Sequence, residues 1–250
     1  MFARGLVCAA ILAAISSSAA AEILLTSDLV VDAATPDFGG FEGDAVYIEN
    51  GATVEVIGDN EMLRKYRWDV YDGQLNYHAG EGLRVFSPGN SFLMTGGQAA
   101  VVVGRGTIVG GRVERFAVDD NAAISGDAVI VSMTGAESYG LIEISGGTIL
   151  EPVGASQTLR MTGGTVHGIN VIRNGESDGN ILDLRGGNVQ GLLRASFGGA
   201  IYVSGSSLAF DGNRLTGILD DGTPIDTLVD VSQEGSLFMD NFPHVAGDAN

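Results

Sequence analysis

Residues 61–78, EMLRKYRWDVYDGQLNYH, hold the chain's only tryptophan, three of its six tyrosines and three basic side chains. Aromatic rings beside polar groups stack on sugar rings, and Arg or Lys can meet the carboxylates of an acidic polysaccharide. Tyr66, Trp68, Tyr71 and Tyr77 are therefore the candidate glycan-binding residues. The same stretch also suits an N-terminal cap, because stacked-repeat folds need an atypical end unit to cover the core. The cap is the favoured use of these aromatics, and the glycan platform is the alternative.

A second charged set, Glu143, Arg160, Asp183 and Arg185, lies further along. Two carboxylates about 5–9.5 Å apart can cleave a glycosidic bond. The simpler use of alternating acid and base is an ion-paired structural ladder formed by Glu143, Arg160 and Asp183. No catalytic set is assigned. His78, His167 and His244 stand singly, without ligand spacing, so no metal site is assigned either.

Two decoys need weighing. VVVGRGTIVGG places Gly104, Gly106 and Gly110 after an apolar run, but a dinucleotide fingerprint needs its third glycine where Val109 stands, and then a helix. Asp119 with Asp120, Asp211 near Asn213, Asp220 with Asp221, and Asp240 with Asn241 offer oxygens. Calcium needs six to eight from one converging loop, and neither the EF-hand nor the glycine-aspartate repeat spacing occurs. No cofactor is expected beyond weak calcium binding through charge density.

The elements that must position these residues are visible as repeats. FLMTGGQAA from Phe92, IEISGGTIL from Ile142, LRMTGGTVH from Leu159, LDLRGGNVQ from Leu182 and IYVSGSSLA from Ile201 share one pattern. The first glycines of the last four stand at 146, 163, 186 and 205. A strand–corner–strand unit recurring about every 20 residues is the mark of a solenoid. Glycine suits the corners through positive φ or close approach to the next coil, and Ser206 suggests that the second glycine is dispensable.

Superposing the copies predicts three inward ladders: Ile142, Leu159, Leu182 and Ile201; Ile144, Met161, Leu184 and Val203; and Ile149, Val166, Val189 and Leu208. Glu143, Arg160, Asp183 and Tyr202 would face outward as neighbours, as would Thr148, Thr165, Asn188 and Ser207. Alternation with period two dominates, and no helix is expected after residue 21.

The predicted fold is a single-domain, all-β, right-handed parallel β-helix of about 20-residue coils. A β-sandwich is the alternative, but it leaves the aligned glycine corners unexplained. Residues 22–80 are expected to form an N-terminal cap and irregular first coils, 81–214 the repeats, and 215–250 a C-terminal cap and tail. Residues 1–21, with Arg4, the apolar LVCAAILAAI and the small residues SSSAAA, match a signal peptide cut after Ala21. Cys8, the only cysteine, would leave with it.

What would remain carries 31 acidic against 12 basic side chains, a formal charge of −19. That excess opposes nucleic acid and anionic membranes as partners, and no membrane insertion is expected.

The SGGTIL, TGGTVH and RGGNVQ copies, followed by FDGNRLTGILDDGTPIDT at 210–227, resemble bacterial exported β-solenoid repeat proteins, many of which carry a PEP-CTERM sorting tail. The match to their closing segment lies in Leu215, Thr216, Gly217, Leu219, Asp221, Gly222, Thr223 and Pro224. The chain ends MDNFPHVAGDAN, without the apolar helix and basic cluster of such a tail. The resemblance implies no general catalytic residues.

The expected function is that of a secreted or cell-surface structural or adhesive protein, with a periplasmic location as an alternative. Its expected partners are surface or matrix polysaccharide, or other copies of itself. The competing expectation is a polysaccharide-cleaving β-helix enzyme.

Overall fold

A computed structural model describes residues 22–135, 140–172, 180–232 and 234–241. The expected signal peptide, Cys8 and His244 lie outside the described residues. The chain is an all-β solenoid of about eight turns, with coils of about 20 residues. Successive coils pair in parallel, which excludes the β-sandwich.

Period-two alternation dictates which side chains turn inward. One inward column runs Val31, Val56, Tyr77, Met94 in register, and further along Ile108, Ile124, Ile144, Met161, Leu184, Val203. Beside it run Leu29, Val54, Leu75, Phe92, and later Ala122, Ile142, Leu159, Leu182, Ile201. Another side of the coil contributes Val153, Ile169, Leu193 and Val229. Nearly all of these side chains are buried, and together they form one continuous apolar core.

The first two predicted ladders are thus in register over all four copies. The third holds for Ile149, Val166 and Val189 but not for Leu208, and the outer Thr148, Thr165, Asn188 column likewise stops before Ser207. The cause lies at the corner. In complete copies the second glycine has positive φ: 75° at Gly147, 79° at Gly164 and 86° at Gly187. A Cβ on the first glycine, Gly163, would stand 2.6 Å from the Ser145 carbonyl oxygen.

Where Ser206 replaces the second glycine, the positive φ moves to Ser207 and the chain leaves the coil in an antiparallel hairpin, Gly205 opposite Leu219. The copy with Ser206 therefore does not make the regular turn, contrary to the expectation drawn from it. The hairpin lengthens that coil, so Ile201 pairs with Leu237.

Two further expectations are corrected. A one-turn helix, Glu61–Lys65, forms after Asn60, whose side chain accepts from the Met62 N–H at 3.0 Å. Residues 67–77 do not cap the end of the stack. Trp68 pairs with Val46 on one side and Val85 on the other, and Leu75 with Val54 and Phe92, so both strands belong to regular interior coils.

Candidate functional site

The aromatic stretch divides between the inside and the outside of the coil. Tyr66, Trp68 and Tyr77 point inward and are buried. The Tyr66 hydroxyl donates to Asp37 Oδ1 at 2.6 Å and accepts from the Gly40 N–H, and its ring stacks on Phe38. The Tyr77 hydroxyl donates to the Gln98 carbonyl at 3.1 Å, and burial pushes its pKa up. These three rings are core, which corrects their assignment as glycan platforms. Tyr71 is 44% exposed and stacks on Tyr47 with centroids 5.8 Å apart.

Around Tyr71 the outward positions of neighbouring coils converge. Tyr47, Asp69 and Phe86 stand on consecutive rungs. Arg67 grips Asp69 through two parallel bonds, Nε to Oδ1 at 2.8 Å and Nη2 to Oδ2 at 2.6 Å. Asp69 is fully buried by these neighbours, while Arg67 stays exposed. Arg84, one residue before the Trp68–Val85 rung, lies one coil beyond Arg67. Arg67, Arg84, Phe86, Val101 and Val103 line an open groove of about 420 Å³. Of this group only Tyr71 belongs to the sequence-predicted set.

The predicted charged ladder forms as expected. Glu143, Arg160 and Asp183 occupy consecutive rungs. Arg160 donates to Glu143 Oε1 at 3.5 Å and to Asp183 Oδ2 at 3.1 Å, and Arg185 Nε donates to Asp183 Oδ1 at 2.9 Å. Burial alone would raise the Asp183 pKa, but the bonds from Arg185 and Arg160 outweigh it and lower it. Arg160 thus fills the space between the two carboxylates where a sugar ring would need to lie.

A third group was missed because its members come from three coils. His78 Nδ1 lies 2.6 Å from Thr95 Oγ1, and its Nε2 lies 2.9 Å from Glu55 Oε2. Asn76 Nδ2 donates to Glu55 Oε1 at 2.6 Å, and Gln74 holds Asn76 in turn. Hydroxyl, imidazole and carboxylate in series can relay a proton. The coil period carried the signal, since Thr95 stands 17 residues after His78.

Among the described residues no three His, Cys, Asp or Glu side chains converge to hold a metal ion. The acidic pairs have other partners: Asp120 bonds Arg105, and Asp221 accepts from the Gly187 N–H at 2.8 Å. No helix among the described residues is long and apolar enough to cross a membrane. No known protein family, curated protein or solved structure matches the chain.

Proposed function

We propose that the chain is an exported, non-enzymatic structural or adhesive β-solenoid of the bacterial cell surface or extracellular matrix, engaging polysaccharide or further copies of itself. The observation that carries this reading is the outer ladder: Arg160 binds Glu143 and Asp183 on the neighbouring coils, Arg185 braces Asp183 within its own coil, and the ties stiffen the wall. The resemblance in the repeats and the signal-like residues 1–21 support export. The test is sedimentation of the chain lacking residues 1–21 with cells, with isolated matrix and alone. Binding to at least one is expected, and binding to none overturns the reading. Depolymerisation of any glycan in a panel of acidic and neutral polysaccharides would instead favour the cleaving enzyme.

A second reading is favoured by the Thr95–His78–Glu55 series: hydrolysis of acyl esters. In it Thr95 Oγ1 bonds to the acyl carbon, its proton passes through His78 to the leaving alcohol, and water then releases the acid and restores Thr95. Turnover of p-nitrophenyl acetate, lost in Thr95→Val, would establish it. Equal rates for the two proteins would exclude it.

A further inference from the structure

We infer that the groove between Arg67, Arg84 and Phe86 binds a segment of carboxylate-bearing polysaccharide, a polyuronate. This deepens the adhesive reading and rests on it for the polymeric, surface-borne nature of the partner.

The chain carries a formal −18, yet this face sets two guanidiniums on consecutive coils. Strand spacing puts such neighbours about 4.8 Å apart at the backbone, where like charges oppose one another. Asp69 neutralises only Arg67, to which both its oxygens are bound. Among the described residues Arg84 has no ion pair and no side-chain hydrogen bond, and it is exposed. An acidic protein that leaves one arginine unmatched beside another presents a site for an anion.

The groove is open to solvent on the outer wall, where a polymer can reach it from the side. Phe86, Val101 and Val103 are half-buried and give it an apolar floor, against which the C–H face of a sugar ring packs. The guanidinium fork matches a carboxylate with two parallel bonds, as Arg67 already shows with Asp69. A polyuronate repeats one carboxylate per sugar, the periodic partner for arginines repeated by coil. Tyr71, on its stack with Tyr47, extends the surface beyond Asp69.

The test uses the chain lacking residues 1–21, with polygalacturonate as the acidic probe and dextran as the neutral one, read by calorimetry at low and high NaCl. Polygalacturonate is expected to bind, with affinity falling as salt rises, and dextran at least tenfold more weakly. Arg84→Gln should weaken polygalacturonate at least tenfold. Arg84→Lys should fall between, because an ammonium keeps the charge and loses the fork. Phe86→Ala should weaken binding without changing its salt dependence. Arg84 is exposed, so an unchanged melting temperature verifies that its variants fold.

Equal binding by the wild type and Arg84→Gln, or equal binding of the two polymers, overturns the inference. The same variants in the sedimentation assay separate the two claims. Polygalacturonate binding equal in the wild type and Arg84→Gln, with cell, matrix or self-binding intact, sinks the groove and leaves the adhesive function standing. Arg84-dependent polygalacturonate binding without sedimentation on cells, on matrix or alone does the reverse.

Discussion

Asp37 ties the first coils together with one carboxylate, accepting from Lys65 Nζ, the Tyr66 hydroxyl and the Gly39 N–H, each at 2.6 Å. The Lys65 bond above all, then Tyr66, lowers its pKa from 3.8 to about 2. A carboxylate depressed in the folded state contributes its full stability above the unfolded pKa and loses it as pH falls through the folded one. The urea midpoint should therefore drop between about pH 4 and pH 2, and Asp37→Asn should remove part of that drop. The side chain is 43% exposed, so the contribution is under about 1 kcal/mol. A slope identical in the variant would show that other carboxylates govern acid unfolding. Trp68, fully buried, should cost about 3–5 kcal/mol as Trp68→Ala, whereas Tyr71→Ala should cost under about 1. Urea denaturation of both variants checks this contrast. Parity already carried the distinction: Tyr66, Trp68 and Val70 alternate on one side, and Arg67, Asp69 and Tyr71 on the other. Unusual composition drew attention to the right segment, and alternation would have shown which ring reaches solvent.

At the scale of the coil, the paired glycines do two different jobs. Gly164 needs its φ of 79°, and an added Cβ would stand 2.5 Å from the Gly146 carbonyl oxygen of the preceding coil. Gly164→Ala should therefore cost about 2 kcal/mol or more, or prevent folding. Gly154 lies in the strand Val153–Ala155 with open space where its Cβ would go, so Gly154→Ala should stay within about 0.5 kcal/mol. Comparable losses in the two urea midpoints would refute a corner-specific requirement. The copies were legible because each strand repeats its own inward pair, and Leu159, Met161 and Val166 sit where the pattern puts them. The departure after Ser206 was not legible, because a single Ser in a corner does not announce an inserted hairpin. Nor was its anchor: Asp221 comes back from 34 residues away to take the Gly187 N–H. The groove stayed hidden for a related reason. Arg67 and Arg84 stand in different coils, and only the register of those coils brings them side by side.

Over the whole molecule, two electrostatic effects oppose each other. Ion pairs such as Arg160 with Glu143, Arg194 with Asp230 and Arg214 with Asp226 join neighbouring strands, and salt weakens them. The side chains of the first two pairs are 41–51% exposed, so each of those two contributes about 0–1 kcal/mol, and the third lies fully in solvent. Against them stands an excess of acid, 31 carboxylates to 13 basic groups, so even complete pairing leaves 18 negative charges on the chain. Their mutual repulsion disfavours the compact state and is screened as the Debye length shrinks from about 30 Å at 0.01 M to about 3 Å at 1 M. The unpaired excess is the larger group, so repulsion decides the sign: Tm should rise by several °C between 10 and 500 mM KCl, since about 1 kcal/mol moves a domain of this size by about 2–4 °C. Arg160→Gln should make the rise steeper, because Glu143 and Asp183 then lose the cation between them. A Tm that is flat or falls with salt would mean that the coil-to-coil ion pairs outweigh the net charge, and that the ladder rather than the apolar core sets the stability of the wall.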